Sequence, residues 1–133
     1  MYGQSIGIKT KSLDSLIDHL KRGLPVSSLT KLSHQMGVSE NKLASTVNVA
    51  QRTLTRRKKE GRFKTDESER VLRIARIFER SIEVMGSVEL AQQWFKSPAK
   101  GLGGKTPLDY SDTEPGAREV EALLHRIEHG VFS

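Results

Sequence analysis

The 133-residue sequence contains no cysteine, which excludes a disulfide framework and any zinc site built on thiolates. Aromatic residues are scarce at 5%, so aliphatic side chains must fill most of the core. No run approaches the roughly 18 consecutive apolar residues that a membrane span needs. Residues 2–10 are polar and contain glycine, unlike the apolar stretch of a secretory leader. A cytoplasmic location and no membrane partner are therefore expected. No stretch alternates apolar and polar residues for long enough to make a strand, and neither an internal repeat nor a low-complexity tract is present.

What is present is a balance of 35% hydrophobic and 29% charged residues, which suits a globular chain and not a disordered one. The length fits one compact domain or two small helical units sharing a core. The formal net charge of +6 is unevenly spread. Residues 1–65 carry 13 Lys/Arg against 4 Asp/Glu, a net +9, whereas residues 66–133 carry 9 against 12, a net −3. The first half suits a polyanion and the second does not.

Apolar spacing predicts an all-α bundle of seven to eight helices. Leu13, Leu16, Ile17, Leu20 and Leu24 share a helical period, with Ser12 as N-cap. Val26, Leu29, Leu32 and Met36 mark a second helix ending at Gly37, and Ser39 caps a third. A fourth runs from about Ala50 to Lys59. Thr65 is placed to cap a long helix along Val71, Ile74, Phe78, Ile82 and Met85, with Asp66 and Glu67 in its first turn. Ser87 caps the next helix, through Trp94 and Phe95. Residues 97–109 are expected to be loop, a tight connector packed under Trp94. A last helix opens near Pro115 and carries Val120, Leu123, Leu124 and Ile127 before Gly130. The expected division is a flexible N-terminus over 1–11, a helix-turn-helix region over 12–65, and a linking helix with a C-terminal domain over 66–133.

Residues 40–59 fit a helix-turn-helix. Leu43, Ala44 and Val47 face inward, Asn48 makes the turn, Val49 plugs it and Leu54 anchors the second helix. Asn tolerates the left-handed conformation a tight turn needs. Ala50 stands at the cap position and cannot cap, and Arg57 stands where such motifs often carry an apolar residue. Seven cations, Arg52, Arg56, Arg57, Lys58, Lys59, Arg62 and Lys64, fall near one acid, Glu60. A recognition helix offers its N-terminal residues to base edges and uses neighbouring cations on phosphate. Gln51, Arg52, Thr53 and Thr55 are the candidates for base contact, and Arg56, Arg57, Lys58 and Lys59 for phosphate. The competing reading is a solvated basic helix face. Two copies about a twofold axis would read a palindromic site, so a homodimer is expected.

The run Thr53-Leu54-x-Arg56-Arg57-x-x-Glu60-Gly61-Arg62 resembles the helix-turn-helix of the Xre/MbcA/ParS antitoxins. Glu67-Ser68-x-Arg70-x-x-Arg73-x-Ala75-Arg76 resembles the long helix that follows it there. Trp94-Phe95-x-x-Pro98 and Leu102-Gly103-Gly104-x-Thr106-Pro107-Leu108-Asp109 are similar to the core of that family's toxin-binding domain, and residues 114–131 to its closing helix. The resemblance covers about residues 40–132. It implies a type II antitoxin that binds a RES-domain toxin, an NAD-consuming or ADP-ribosyltransferase-like protein, within a hetero-oligomeric complex and represses its own operon. It also implies structural roles for Trp94, Leu102, Gly103, Gly104, Thr106 and Pro107. If the toxin holds a pyrophosphate with cations, the tail Gly130, Val131, Phe132 and Ser133 is the candidate plug, with Phe132 in an apolar subsite and the terminal carboxylate on the cations. The plainer alternative has Phe132 folding back on Val131 or Ile127, or fraying.

Other groupings point to no chemistry. His125 and His129 are four apart, a spacing that can bind metal, but no third ligand beyond Glu121 or Glu128 is evident, so a surface pair and no metal are expected. Gly103 and Gly104 follow no strand and do not close as a phosphate loop. No nucleophile–base set appears, so neither enzyme activity nor a cofactor is expected. The alternative to an antitoxin is a helix-turn-helix regulator whose C-terminal half only dimerises or senses a ligand.

Overall fold

A computed structural model describes residues 4–7 and 12–130. Eight α-helices follow one another: α1 (Leu13–Arg22), α2 (Ser27–Met36), α3 (Glu40–Thr46), α4 (Gln51–Glu60), α5 (Thr65–Met85), α6 (Val88–Phe95), α7 (Pro107–Tyr110) and α8 (Glu114–Glu128). Short 3-10 turns occupy Gln4–Ile6 and Lys100–Leu102. There is no strand among the described residues, as the apolar periods imply, and none of the described helices is long and apolar enough to cross a membrane. The chain divides into two compact units, Met1–Arg76 and Ile77–Ser133, with α5 running from one into the other.

The helix starts follow side-chain chemistry. Ser12, Ser39 and Ser87 each accept a hydrogen bond from the backbone N–H three residues on, at 3.0–3.2 Å, as their positions before apolar periods predict. Thr65 departs from this pattern. It is the first helical residue, not the cap, and its hydroxyl donates to the Lys21 carbonyl. The helix end is satisfied from the other direction, because the Glu67 carboxylate accepts the Lys64 N–H at 2.8 Å. That is the return arm of a capping box without the usual Ser or Thr partner.

In the first unit Leu24, Leu29, Leu32, Met36, Leu43, Val47, Leu54, Val71 and Ile74 are buried. The expected apolar face of α1 is only partly used: Leu16 is buried, but Leu13 and Ile17 are exposed. The segment between α1 and α2 lies antiparallel to the segment after α4. Phe63 N–H donates to the Leu24 carbonyl at 2.9 Å and Val26 N–H to the Gly61 carbonyl at 3.1 Å. Gly23 permits that approach, since a Cβ there would lie 2.1 Å from the Phe63 carbonyl oxygen. Within the N-terminal stretch, the described residues 4–7 place Ser5 and Ile6 in buried positions, with the 3-10 turn in contact with α2.

The second unit has its own core of Phe78, Phe95, Leu102, Leu108, Val120 and Leu124. Phe78 and Phe95 meet edge to face with centroids 5.8 Å apart, a favoured aromatic geometry. Residues 97–109 are more ordered than a plain loop. Ala99 N–H donates to the Lys105 carbonyl and Gly104 N–H to the Ala99 carbonyl, both at 3.0 Å, which closes the segment on itself. Thr106 then caps α7, with Pro107 in its first turn. The short α7 escapes a periodicity search because one turn is too short to show a period.

Candidate functional site

The turn between α3 and α4 is built as its sequence requires. Asn48 adopts φ 58°, in the left-handed region. Val49 N–H reaches back to the Ala44 carbonyl at 2.8 Å and buries its side chain. Leu43, Ala44, Val47 and Leu54 are all buried at the crossing of the two helices. From α5, Arg70 Nε donates to the Val47 carbonyl at 2.6 Å. A cationic donor therefore occupies the last carbonyls of α3, where the helix dipole favours it.

On α4 the side chains sort into two faces. Gln51, Arg52, Thr55, Arg56 and Lys59 are exposed, and their one-, four-, five- and eight-residue offsets from Gln51 keep them on one side of a 3.6-residue helix. Thr53 is half-buried, and Thr55 spends its hydroxyl proton on the Gln51 carbonyl. Lys58 is exposed but ion-paired with Glu40 of α3 at 2.9 Å. Arg52, Arg56 and Lys59 have no ion pair with a described residue. Ala50 takes the N-cap position and, with no polar side chain, offers the amide end of α4 no cap of its own.

Arg57 corrects the sequence reading. It was grouped with the phosphate contacts, yet its side chain is only 5% exposed. Nε and Nη2 donate to the two oxygens of Glu67 at 2.7 and 3.0 Å, and Nη1 donates to Glu60 at 2.9 Å. The guanidinium is buried and already spent on two carboxylates, which sets it apart from the exposed cations of α4. The position that commonly holds an apolar residue is thus still an inward one, filled by a charge with its counter-charges. These hydrogen bonds, and then the charges of Glu67 and Glu60, hold the guanidinium above its ordinary pKa against the opposing effect of burial. Burial pushes the Glu67 carboxyl up most strongly. The hydrogen bonds from Arg57 and Lys64 and the Arg57 charge outweigh it, leaving Glu67 below the usual 4.5. The clue available in sequence was the position itself, combined with an acid ten residues on. Arg62 is likewise engaged, donating to the Gly23 carbonyl at 2.7 Å.

In the second unit Trp94 is half-buried and touches Phe95 edge-on at 6.0 Å; it is Phe95 that enters the core. Leu102 and Pro107 are buried, Thr106 is half-buried as a cap, and Gly103 and Gly104 are exposed. Gly116, in the first turn of α8, lies against the Tyr110 carbonyl, and Thr113 caps the helix through the Gly116 N–H at 3.1 Å. Arg80 of α5 donates to Glu83 and to Glu128, tying α5 to the far end of α8. Gly130 is exposed just past that end, while Val131, Phe132 and Ser133 lie outside the described residues.

Comparison with known proteins matches both halves. Residues 15–76 match the antitoxin Xre-like helix-turn-helix domain, and residues 81–130 match the antitoxin Xre/MbcA/ParS C-terminal toxin-binding domain. The chain is 33% identical over 132 residues to a protein named Antitoxin Xre from Yersinia enterocolitica, covering 98% of this chain and 89% of that one. A protein of the same name from Photorhabdus laumondii gives the same identity and coverage. A Sphingobium protein named Prs ADP-ribosylating antitoxin is 27% identical over 124 residues, covering 86% of this chain and 78% of the relative. With a helix-turn-helix and a toxin-binding domain in order along an all-helical chain, and near-full-length likeness to named antitoxins, the chain belongs to the Xre antitoxin family.

Proposed function

We propose that this antitoxin neutralises a RES-domain, NAD-consuming toxin by direct binding through its second unit and represses its own operon through α4, acting in the cytoplasm. The observation that carries the DNA reading is the outward face of α4. Gln51, Arg52 and Thr55 stand at its N-terminal end for base edges, with half-buried Thr53 beside them, and Arg56 and Lys59 lie next to them for phosphate. The N-terminus of α4, where Ala50 supplies no side-chain cap, suits a DNA phosphate as its partner. Lys58 contributes only by giving up Glu40. A homodimer would set two such helices on a palindromic operator.

For the toxin, the support is the matched toxin-binding domain and the relative named for ADP-ribosylation. The net charge of −3 over residues 66–133 suits a basic, pyrophosphate-holding cleft. On this reading the tail from Gly130 to Ser133 plugs that cleft. Co-expression with the toxin encoded beside it, scored by growth, and gel shift of the promoter DNA test the two halves. Rescue and a shift are expected. A harmless neighbour, or lethality despite this protein, would overturn the neutralisation reading.

A further inference from the structure

The C-terminal end of α8 gathers three side chains that neither proposed activity uses. His125 and His129 stand one turn apart with ring centroids separated by 4.3 Å. Glu128 adjoins them, its Oε1 3.6 Å from His129 Nε2. One donor atom from each lies within 4.8 Å of the other two, the one such group of His and acidic donors among the described residues. We propose that His125, Glu128 and His129 form a binding site for a divalent transition-metal ion, with zinc its fitting occupant.

Two imidazoles and one carboxylate are a donor set that zinc takes, at roughly 2.0–2.2 Å per bond, which places the donors of a tetrahedral ion ~3.3 Å apart. The widest gap of 4.8 Å has to close by about a third to reach that spacing. All three side chains are exposed, so rotation about their own bonds is the movement the site asks of them, with Glu128 turning against its tie to Arg80. Three protein donors leave one position for water or for a group on a partner. The setting favours a cation, because the end of α8 carries the negative pole of the helix dipole. The cationic neighbour facing the group is Arg80. It orients the Glu128 carboxylate, as the outer partners of metal ligands commonly do, and its charge limits affinity. The sequence offered the histidine pair with Glu121 or Glu128 as the further acid; the structure groups Glu128 with it. An ion here would pin the last turn of α8, immediately before residues 130–133. The site rests on its own geometry and not on the plugging role of that segment.

Zinc titration into the full chain at pH 7.5, followed by calorimetry and by thermal melting, tests the site. Saturable binding is expected, with a melting temperature that rises with free zinc, because an ion held by the folded state stabilises it. Removing a ligand should cost at least what removing a ligand's outer partner costs, so His125→Gln and His129→Gln should each weaken binding roughly tenfold or more. Glu128→Gln should weaken it less, and the double histidine variant should lose it. Circular dichroism checks that each variant remains helical. Absence of saturable binding at millimolar zinc overturns the proposal. So does undiminished binding by the folded double variant, which would place the ion elsewhere, for instance at His19 or His34.

Discussion

At the scale of single residues, the same chemical change has opposite signs at different places. Gly→Ala inside a helix normally stabilises by about 0.5–1 kcal/mol. Gly116 lies in the first turn of α8, but a Cβ there would sit 1.8 Å from the Tyr110 carbonyl oxygen, which is backbone and cannot swing aside. Gly116→Ala is therefore expected to destabilise the second unit by about 1–3 kcal/mol, the usual cost of overpacking, read as a lower urea midpoint. A gain in stability would show that the α7–α8 corner is looser than its geometry. On α4 the residues divide by what they face. Arg52→Ala should cost about 1–3 kcal/mol on the preferred operator and relax base preference. Lys59→Ala should weaken binding to all sequences alike and lower the salt slope by about 0.9. Operator affinity unchanged by both would remove α4 as the recognition helix. Asn48 shows how far one residue can be read from sequence. Its tolerance of positive φ placed the turn correctly, and Val49 and Ala44 fell where the turn demands. Arg57 could not be read by type alone, because a cation in a basic run looks solvent-facing until its helical phase is set beside Leu54 and an acid on the next helix.

At the scale of elements, the Arg57–Glu67 pair ties α4 to α5, and Arg70 ties α5 to the end of α3. α4 is thus held from behind by charges that are already spent within the first unit. Breaking a buried pair on one side leaves the other charge uncompensated and costs about 3–5 kcal/mol. Arg57→Met should show a loss of that order at pH 7 by urea denaturation. Its pH dependence separates this cause from simple misfit. In the native protein the folded pKa of Glu67 lies below its ordinary value, so the stability it contributes is present above about 4.5 and is lost as pH falls through the lowered value. Without Arg57, burial dominates and raises that pKa, so the folded state binds the proton more tightly than the unfolded chain. The variant should then recover part of its loss between neutral pH and about pH 5, where the native protein gains nothing. A parallel pH profile for the two would show that Glu67 is not left charged and unpartnered. Element by element, the long amphipathic helices were legible because burial imposes the 3.6-residue period on them. Residues 97–109 were not, since a 3-10 turn and a four-residue α7 are set by local hydrogen bonds from Ala99, Gly104 and Thr106. The apolar face of α1 misled for a related reason: Leu13 and Ile17 keep the period without being buried.

At the scale of the whole molecule, the uneven charge of the chain argues that the two proposed activities can be separated. The unit ending at Arg76 holds the buried anchors of α4 and every proposed DNA-facing residue. The proposed plug lies at the opposite end of the sequence, beyond α8, and Gly130 begins it outside the helix. Deleting residues 130–133 leaves all eight described helices whole and every member of the α4 face in place. The truncated chain is therefore expected to remain helical and to shift operator DNA with unchanged affinity. Its salt slope should also be unchanged, because the α4 cations proposed to set it are all retained. The same chain should fail to rescue growth when the toxin is expressed. Association of the truncated chain with the toxin, by pull-down, distinguishes how it fails. Retained but non-neutralising association would mean that the helical unit docks and the tail blocks. Lost association would make the tail the main source of affinity. Full neutralisation by the truncated chain would sink the plug and shift inhibition onto the helices themselves, with Leu90 and Trp94 of α6, one turn apart and at least partly exposed, as the next apolar surface to substitute.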